Sequence, residues 1–223
     1  MFEVLYRNLD RYSADISICQ FKFTASEKIS VDKSKEFINV YSRHQAIDAM
    51  FMDRIFASHA CNKLYKMHLF KKIRFPLGKV FEDQFTLYKI IWACDKVVYT
   101  NRQCYFYYIR EDSIARASFY TKQLDILDAL DLCIEFFKKN YINVVKYIQY
   151  CWVDNYLILL MSAIQNESDL SVFEARKHTL KQYKKGYSLY KKARLVMKVA
   201  AQLAAVNIGW FRAMFKVFLR IKK

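Results

Sequence analysis

The sequence predicts an α/β protein: a small sheet with flanking helices, followed by a mostly α-helical region. Three observations predict it. The 223 residues are 54% hydrophobic and 17% aromatic, ample for a core. Three glycines and one proline are too few for a loop-rich all-β fold. Strand-like alternation is confined to the first half, and long helical periods fill the second.

Phe2, Leu5, Tyr6 and Leu9 recur at helical spacing, so residues 1–9 read as a helix. Residues 12–23 then alternate into a strand ending Ile-Ser-Ile-Cys-Gln-Phe-Lys-Phe, and the charged stretch 27–35 reads as a connection. Residues 37–41 form a short strand and 43–51 a short helix. Pro76 and Gly78 precede a helix that opens at Glu82-Asp83 and carries Phe85, Tyr88 and Trp92. Two strands follow, 95–100 and 103–110, separated by Asn101-Arg102. Beyond Asp112 the helical runs are 122–140, 142–166, 170–185 and 187 to the end. The domain boundary falls near Phe119, giving units 1–119 and 120–223.

Six cysteines are scattered without a CxxC pair and follow no secretory signal, which suits reduced thiols in a cytoplasmic protein. Neither they nor the four isolated histidines have metal-ligand spacing. Residues 175–223 hold fourteen Lys or Arg and no acidic residue, leaving the first 174 residues about +2 of the +16 formal charge. That asymmetry calls for an anionic partner. On one continuous helix Lys191, Arg194, Lys198, Arg212, Lys216 and Arg220 share a basic stripe opposite an apolar arc that includes Trp210, with a bend near Gly209. The longest uncharged run there, 199–211, is thirteen residues, short of a bilayer span. These residues are therefore expected to lie on an anionic membrane surface. No nucleic-acid-binding signature accompanies the charge, so nucleic acid is not expected as a partner.

The functional signal lies in residues 60–91, which contain Asn62-Lys63-Leu64-Tyr65, Phe75-Pro76-Leu77-Gly78 and Phe81-Glu82-Asp83. A carboxylate at a loop-to-helix junction faces outward, and can act as a general base or simply cap the helix. The stretch resembles the acceptor-side half of family 2 glycosyltransferases of the GT-A fold. Residues 107–114, Tyr-Tyr-Ile-Arg-Glu-Asp-Ser-Ile, resemble a later motif of that family. The resemblance implies an inverting transfer in which Asp83 takes the acceptor proton and Glu82 supports it. Asn62 and Lys63 would meet the acceptor or the leaving diphosphate, Arg110 would pair with phosphate, and Ser113 would cap a helix.

The family's nucleotide-binding half, with its Asp-x-Asp metal motif, has no counterpart here: the chain lacks Asp-x-Asp and has no glycine before Gly78. The resemblance therefore implies a truncated or split transferase that binds no cofactor alone. Mg2+ or Mn2+ is expected in the complete enzyme, and a separate polypeptide would supply the nucleotide-sugar site. The expected acceptor is a saccharide or lipid-linked saccharide of cell-surface polysaccharide synthesis, at the cytoplasmic face of the membrane. The competing expectation is a non-enzymatic membrane-associated interaction protein that retains the fold.

Overall fold

A computed structural model describes residues 1–24, 35–108, 119 and 121–221. The chain divides into two compact units, Met1–Arg116 and Ala117–Lys223. The first is α/β and the second is helical.

The first unit runs α1 (Phe2–Arg11), β1 (Ile16–Thr24), β2 (Ile38–Ser42), α2 (Arg43–Phe51), β3 (Lys63–Tyr65), a 3₁₀ turn (Met67–Phe70), α3 (Glu82–Trp92) and β4 (Lys96–Tyr108). The four strands lie in the order β2-β4-β1-β3. The central pair β1/β4 is parallel, and β2 and β3 flank it antiparallel. Being central, β1 opens with four consecutive buried residues, Ile16 to Cys19, and β4 buries Val97 to Thr100. Both faces of this pair are thus covered, as parallel strands require.

Asp15 ties the start of β1 to the start of β4: its carboxylate accepts the backbone N–H of Asp95 (2.8 Å) and Lys96 (3.3 Å). Helix α2 begins with a capping box in which Ser42 and Gln45 bond reciprocally. α3 packs nearly all round, burying Phe85, Thr86, Leu87, Tyr88, Ile90 and Ile91, more than the stripe Phe85–Tyr88–Trp92 suggests.

In the second unit a 3₁₀ turn (Thr121–Leu124) leads into α4 (Asp125–Asn140), α5 (Ile142–Gln165), α6 (Ser171–Glu174), α7 (Lys177–Ser188), α8 (Leu195–Val206) and α9 (Ile208–Ile221). The long α5 is its spine, with Ile148, Trp152, Val153, Tyr156, Leu157 and Leu160 fully buried. Asp154, one of its two charges, accepts the Tyr187 hydroxyl of α7, while the Tyr156 hydroxyl donates to Phe173 O (3.0 Å). Arg176 pairs with Asp128 at 3.1 Å and joins the α6–α7 turn to α4.

Several expectations are corrected. Residues 96–108 form one strand: relative to β1, Asn101, Arg102 and Cys104 are extra residues absorbed as bulges, so Asn101-Arg102 is not a break. Phe2 and Tyr6 of α1 are exposed, and the buried residues are Leu5 and Asn8. Residues 170–185 are two helices, broken at Ala175–Arg176.

The basic segment is not one helix. α8 starts only at Leu195, and the break falls at Asn207, whose backbone is extended and whose Oδ1 accepts the Trp210 N–H (3.0 Å). An asparagine that caps the next helix stops the previous one. Lys191 and Arg194 therefore precede α8, Lys198 lies in α8, and Arg212, Lys216 and Arg220 lie in α9. The stripe projected through all six is not a single face. The Lys216 ammonium is also engaged, 3.0 Å from Glu167 Oε1.

Candidate active site

α3 begins abruptly. Gly78 adopts a left-handed φ of 71°, and Phe81, the residue before the helix, is also left-handed at φ 60°. This sharp entry sets Glu82 and Asp83 in the first turn, where the helix dipole favours carboxylates. Glu82 is exposed and its backbone carbonyl accepts the Thr86 hydroxyl (2.8 Å). Asp83 is turned inward along the loop 57–62, with its side chain only 18% exposed. The outward carboxylate expected from the sequence is thus Glu82, whereas Asp83 is largely covered but not sealed.

Asp83 Oδ1 accepts the Gln84 N–H (2.8 Å), and Oδ2 stands 3.7 Å from His59 Nδ1. His59 packs edge-on against Phe21 of β1, with ring centroids 4.7 Å apart. It therefore links the start of α3 to the β1/β4 pair beyond its buried beginning. Phe21 lies opposite Tyr105 and Phe23 opposite Tyr107. Cys61 beside Tyr105 pushes that phenol's pKa up, which places the Cys61 thiol and the Tyr105 hydroxyl in the same neighbourhood. Gln84 donates to the Ser58 hydroxyl and fastens the loop to α3 a second time. A carboxylate, an imidazole and a wall of aromatic rings thus meet toward the carboxyl ends of two parallel strands, the usual place for a ligand in an α/β sheet.

Asn62 and Lys63 lie beneath this cluster. Asn62 is 2% exposed, and its amide donates to Cys19 O while its backbone carbonyl accepts the Cys19 N–H (3.1 Å). Lys63 is 4% exposed, and its ammonium donates to the carbonyls of Ala57 (2.9 Å) and His59 and to Asn62 Oδ1 (2.9 Å). Desolvation pushes the Lys63 pKa down to about 7, with Cys61 and Asp83 pulling the other way. Both side chains, expected from the resemblance to meet a ligand, are buried and bonded to the protein's own groups. They hold the 57–62 loop, and with it His59, in place. Burial likewise pushes the Tyr65 phenol far above its ordinary pKa, while its hydroxyl donates to Ala60 O (3.3 Å).

His59 is the residue that the sequence does not single out. Its role depends on a contact across the loop to Asp83 and on a ring in β1, neither of which spacing reveals. Arg110 and Ser113 lie outside the described residues. Among the described residues, no group of three His, Cys, Asp or Glu side chains is placed to hold a metal ion.

No family model matches the chain. Over 122 residues it is 33% identical to glycosyltransferase GlyA of Streptococcus pneumoniae serotype 4. The chain is related to a glycosyltransferase. The match takes in 51% of the chain and 18% of the relative, so the chain spans less than a fifth of that protein's length. No helix among the described residues is long and apolar enough to cross a membrane.

Proposed function

We propose that the chain is the acceptor-side portion of an inverting glycosyltransferase. The reading is supported by the similarity to a glycosyltransferase and carried by one observation, the Asp83 carboxylate held beside His59 near the aromatic strand pair. In this reading the acceptor hydroxyl approaches Asp83 Oδ2 and gives up its proton there as its oxygen attacks the anomeric carbon of the donor sugar. The new C–O bond forms as the bond to the nucleoside diphosphate breaks on the opposite side, and the diphosphate departs with the electron pair. His59, 3.7 Å from Oδ2, keeps the carboxylate oriented.

Glu82, exposed at the rim, orients the acceptor, and Arg110 pairs with the leaving diphosphate. The donor is a nucleotide-sugar. The acceptor is a saccharide or lipid-linked saccharide of cell-surface polysaccharide synthesis at the cytoplasmic membrane face.

The test is sugar transfer by the complete transferase carrying Asp83→Asn, with its fold checked by circular dichroism. A loss of roughly 10²- to 10⁴-fold in turnover is expected for removal of a general base. Near-normal turnover in a folded variant overturns the assignment. Nucleotide-sugar and acceptor binding that persists without transfer in either form would instead favour a non-enzymatic role.

A further inference from the structure

Helix α8 is turned inside out by the standard of a water-facing helix. Its buried side consists of Ala200, Ala201, Ala204 and Ala205, with Met197 and Leu203 half-buried, while Leu195, at 76% exposure, Val196 and Val199 face outward. A helix that faces water hides its branched side chains and presents polar ones. α9 repeats the arrangement. Phe211 is buried, and Trp210, at 66% exposure, shares a second face with Met214 and Val217 at helical spacing. Each helix has one face for its own unit and another apolar face without cover among the described residues.

The charged residues of these two helices have one sign. Arg194 stands at the entrance to α8 and Lys198 within it, while Arg212 and Arg220 follow one another two turns apart on α9. From residue 175 to the end there is no acidic side chain. Large apolar side chains including a tryptophan, on helices whose own charges are all cationic, match the chemistry of an anionic lipid surface, with headgroups for the cations and an acyl boundary for the rings; Glu167, paired with Lys216, is the carboxylate beside α9. We infer that α8 and α9 dock on an anionic membrane surface through Leu195, Val196, Val199, Trp210, Met214 and Val217. This contact differs from the Lys191–Arg220 stripe expected from the sequence: the apolar faces insert and the flanking cations attract. It involves the helical unit alone and stands independently of the chemistry assigned to Asp83.

The experiment is flotation of the full chain with phosphatidylcholine vesicles, with and without phosphatidylglycerol. Binding is expected to be about tenfold or more stronger with the anionic lipid, and to fall on raising salt. The combined variant Val199→Ser, Trp210→Ser and Val217→Ser alters only exposed positions. It is expected to keep the parent's circular dichroism and melting temperature while losing about tenfold or more of the binding. Arg194→Gln with Arg212→Gln and Arg220→Gln is expected to weaken binding to the anionic vesicles specifically. The inference is overturned if the full chain ignores anionic vesicles, binds neutral ones equally well, or binds unchanged when the serine variant is folded. It is also overturned if vesicle binding is absent and the chain forms a dimer that the serine variant cannot form, which would assign the face to a second copy.

Discussion

The Lys63 ammonium donates to the backbone carbonyl of His59, the same residue whose imidazole stands beside Asp83. A buried lysine thus positions that ring through the main chain, without bonding to the carboxylate beside it.

If His59 orients Asp83, its removal should slow the chemical step more than it weakens acceptor binding. His59→Ala is expected to lower kcat by about 100-fold, as small misplacements of a reacting group do, with KM for the acceptor changed far less. Steady-state kinetics of the complete transferase measure this. A change confined to KM would make His59 a binding residue instead.

Lys63 should give the first unit an unusual pH dependence. Its folded pKa, about 7, lies below the ordinary lysine value, so between the two the unfolded chain binds the extra proton and stability rises with pH. Burial pushes the Cys19 thiol up to about 12 and raises Cys94 as well, so above the ordinary thiol pKa these groups act with the opposite sign. Stability to urea is expected to climb by about 1 kcal/mol per pH unit from about pH 7 to 8.5 and then turn over. Lys63→Met should abolish the climb and leave the fall.

The two N–H groups that Asp15 accepts lie at the start of β4, and its side chain is only 14% exposed. Asp15→Ala leaves both donors without their carboxylate and is expected to cost about 2–3 kcal/mol, measured by denaturant titration. Lys66 and His68, at 3.6 and 3.9 Å, would lose a partner at the same time.

Gly78 separates conformational strain from crowding. A Cβ built there meets nothing within 4 Å, yet φ is 71°. Gly78→Ala is expected to destabilise by about 1 kcal/mol, and Gly78→Asn by less, since asparagine tolerates the left-handed region. Equal melting temperatures for all three proteins would mean that the turn relaxes freely.

A core substitution provides a scale for the helical unit. Trp152 is fully buried and stacks on Tyr156 at 5.2 Å. Trp152→Ala is expected to cost about 3–5 kcal/mol, read as a large drop in the denaturation midpoint of that unit.

What was legible in the sequence followed local rules. The residue 43–51 helix, the helix opening at Glu82 and the residue 142–166 helix each announce themselves through periodicity and flanking residues, and the structure has them as α2, α3 and α5, the last ending at Gln165. What escaped depended on partners distant in the chain. β3 is three residues long and exists because Lys63 to Tyr65 pair with Ile16 to Ile18. The bulges in β4 arise from its register with β1, so Asn101-Arg102 looks like a turn in isolation. At the site, Glu82-Asp83 was visible as a pair, but which carboxylate is covered depends on a loop held by Lys63 from below. The break at Asn207 was there to be read as a capping residue, and the even helical pattern on both sides obscured it.

The parallel pairing of β1 with β4 has a consequence for how the chain acquires its shape. Asp15 and Asp95, which meet where the two strands begin, are 80 positions apart. During synthesis the first strand emerges with its apolar residues Ile16 and Ile18 long before its central neighbour exists. Closing so large a loop is slow, because its entropy is lost before the ladder repays it. Formation of this sheet is therefore expected to set the pace of folding for the first unit, with the newborn first strand the segment most in need of a chaperone.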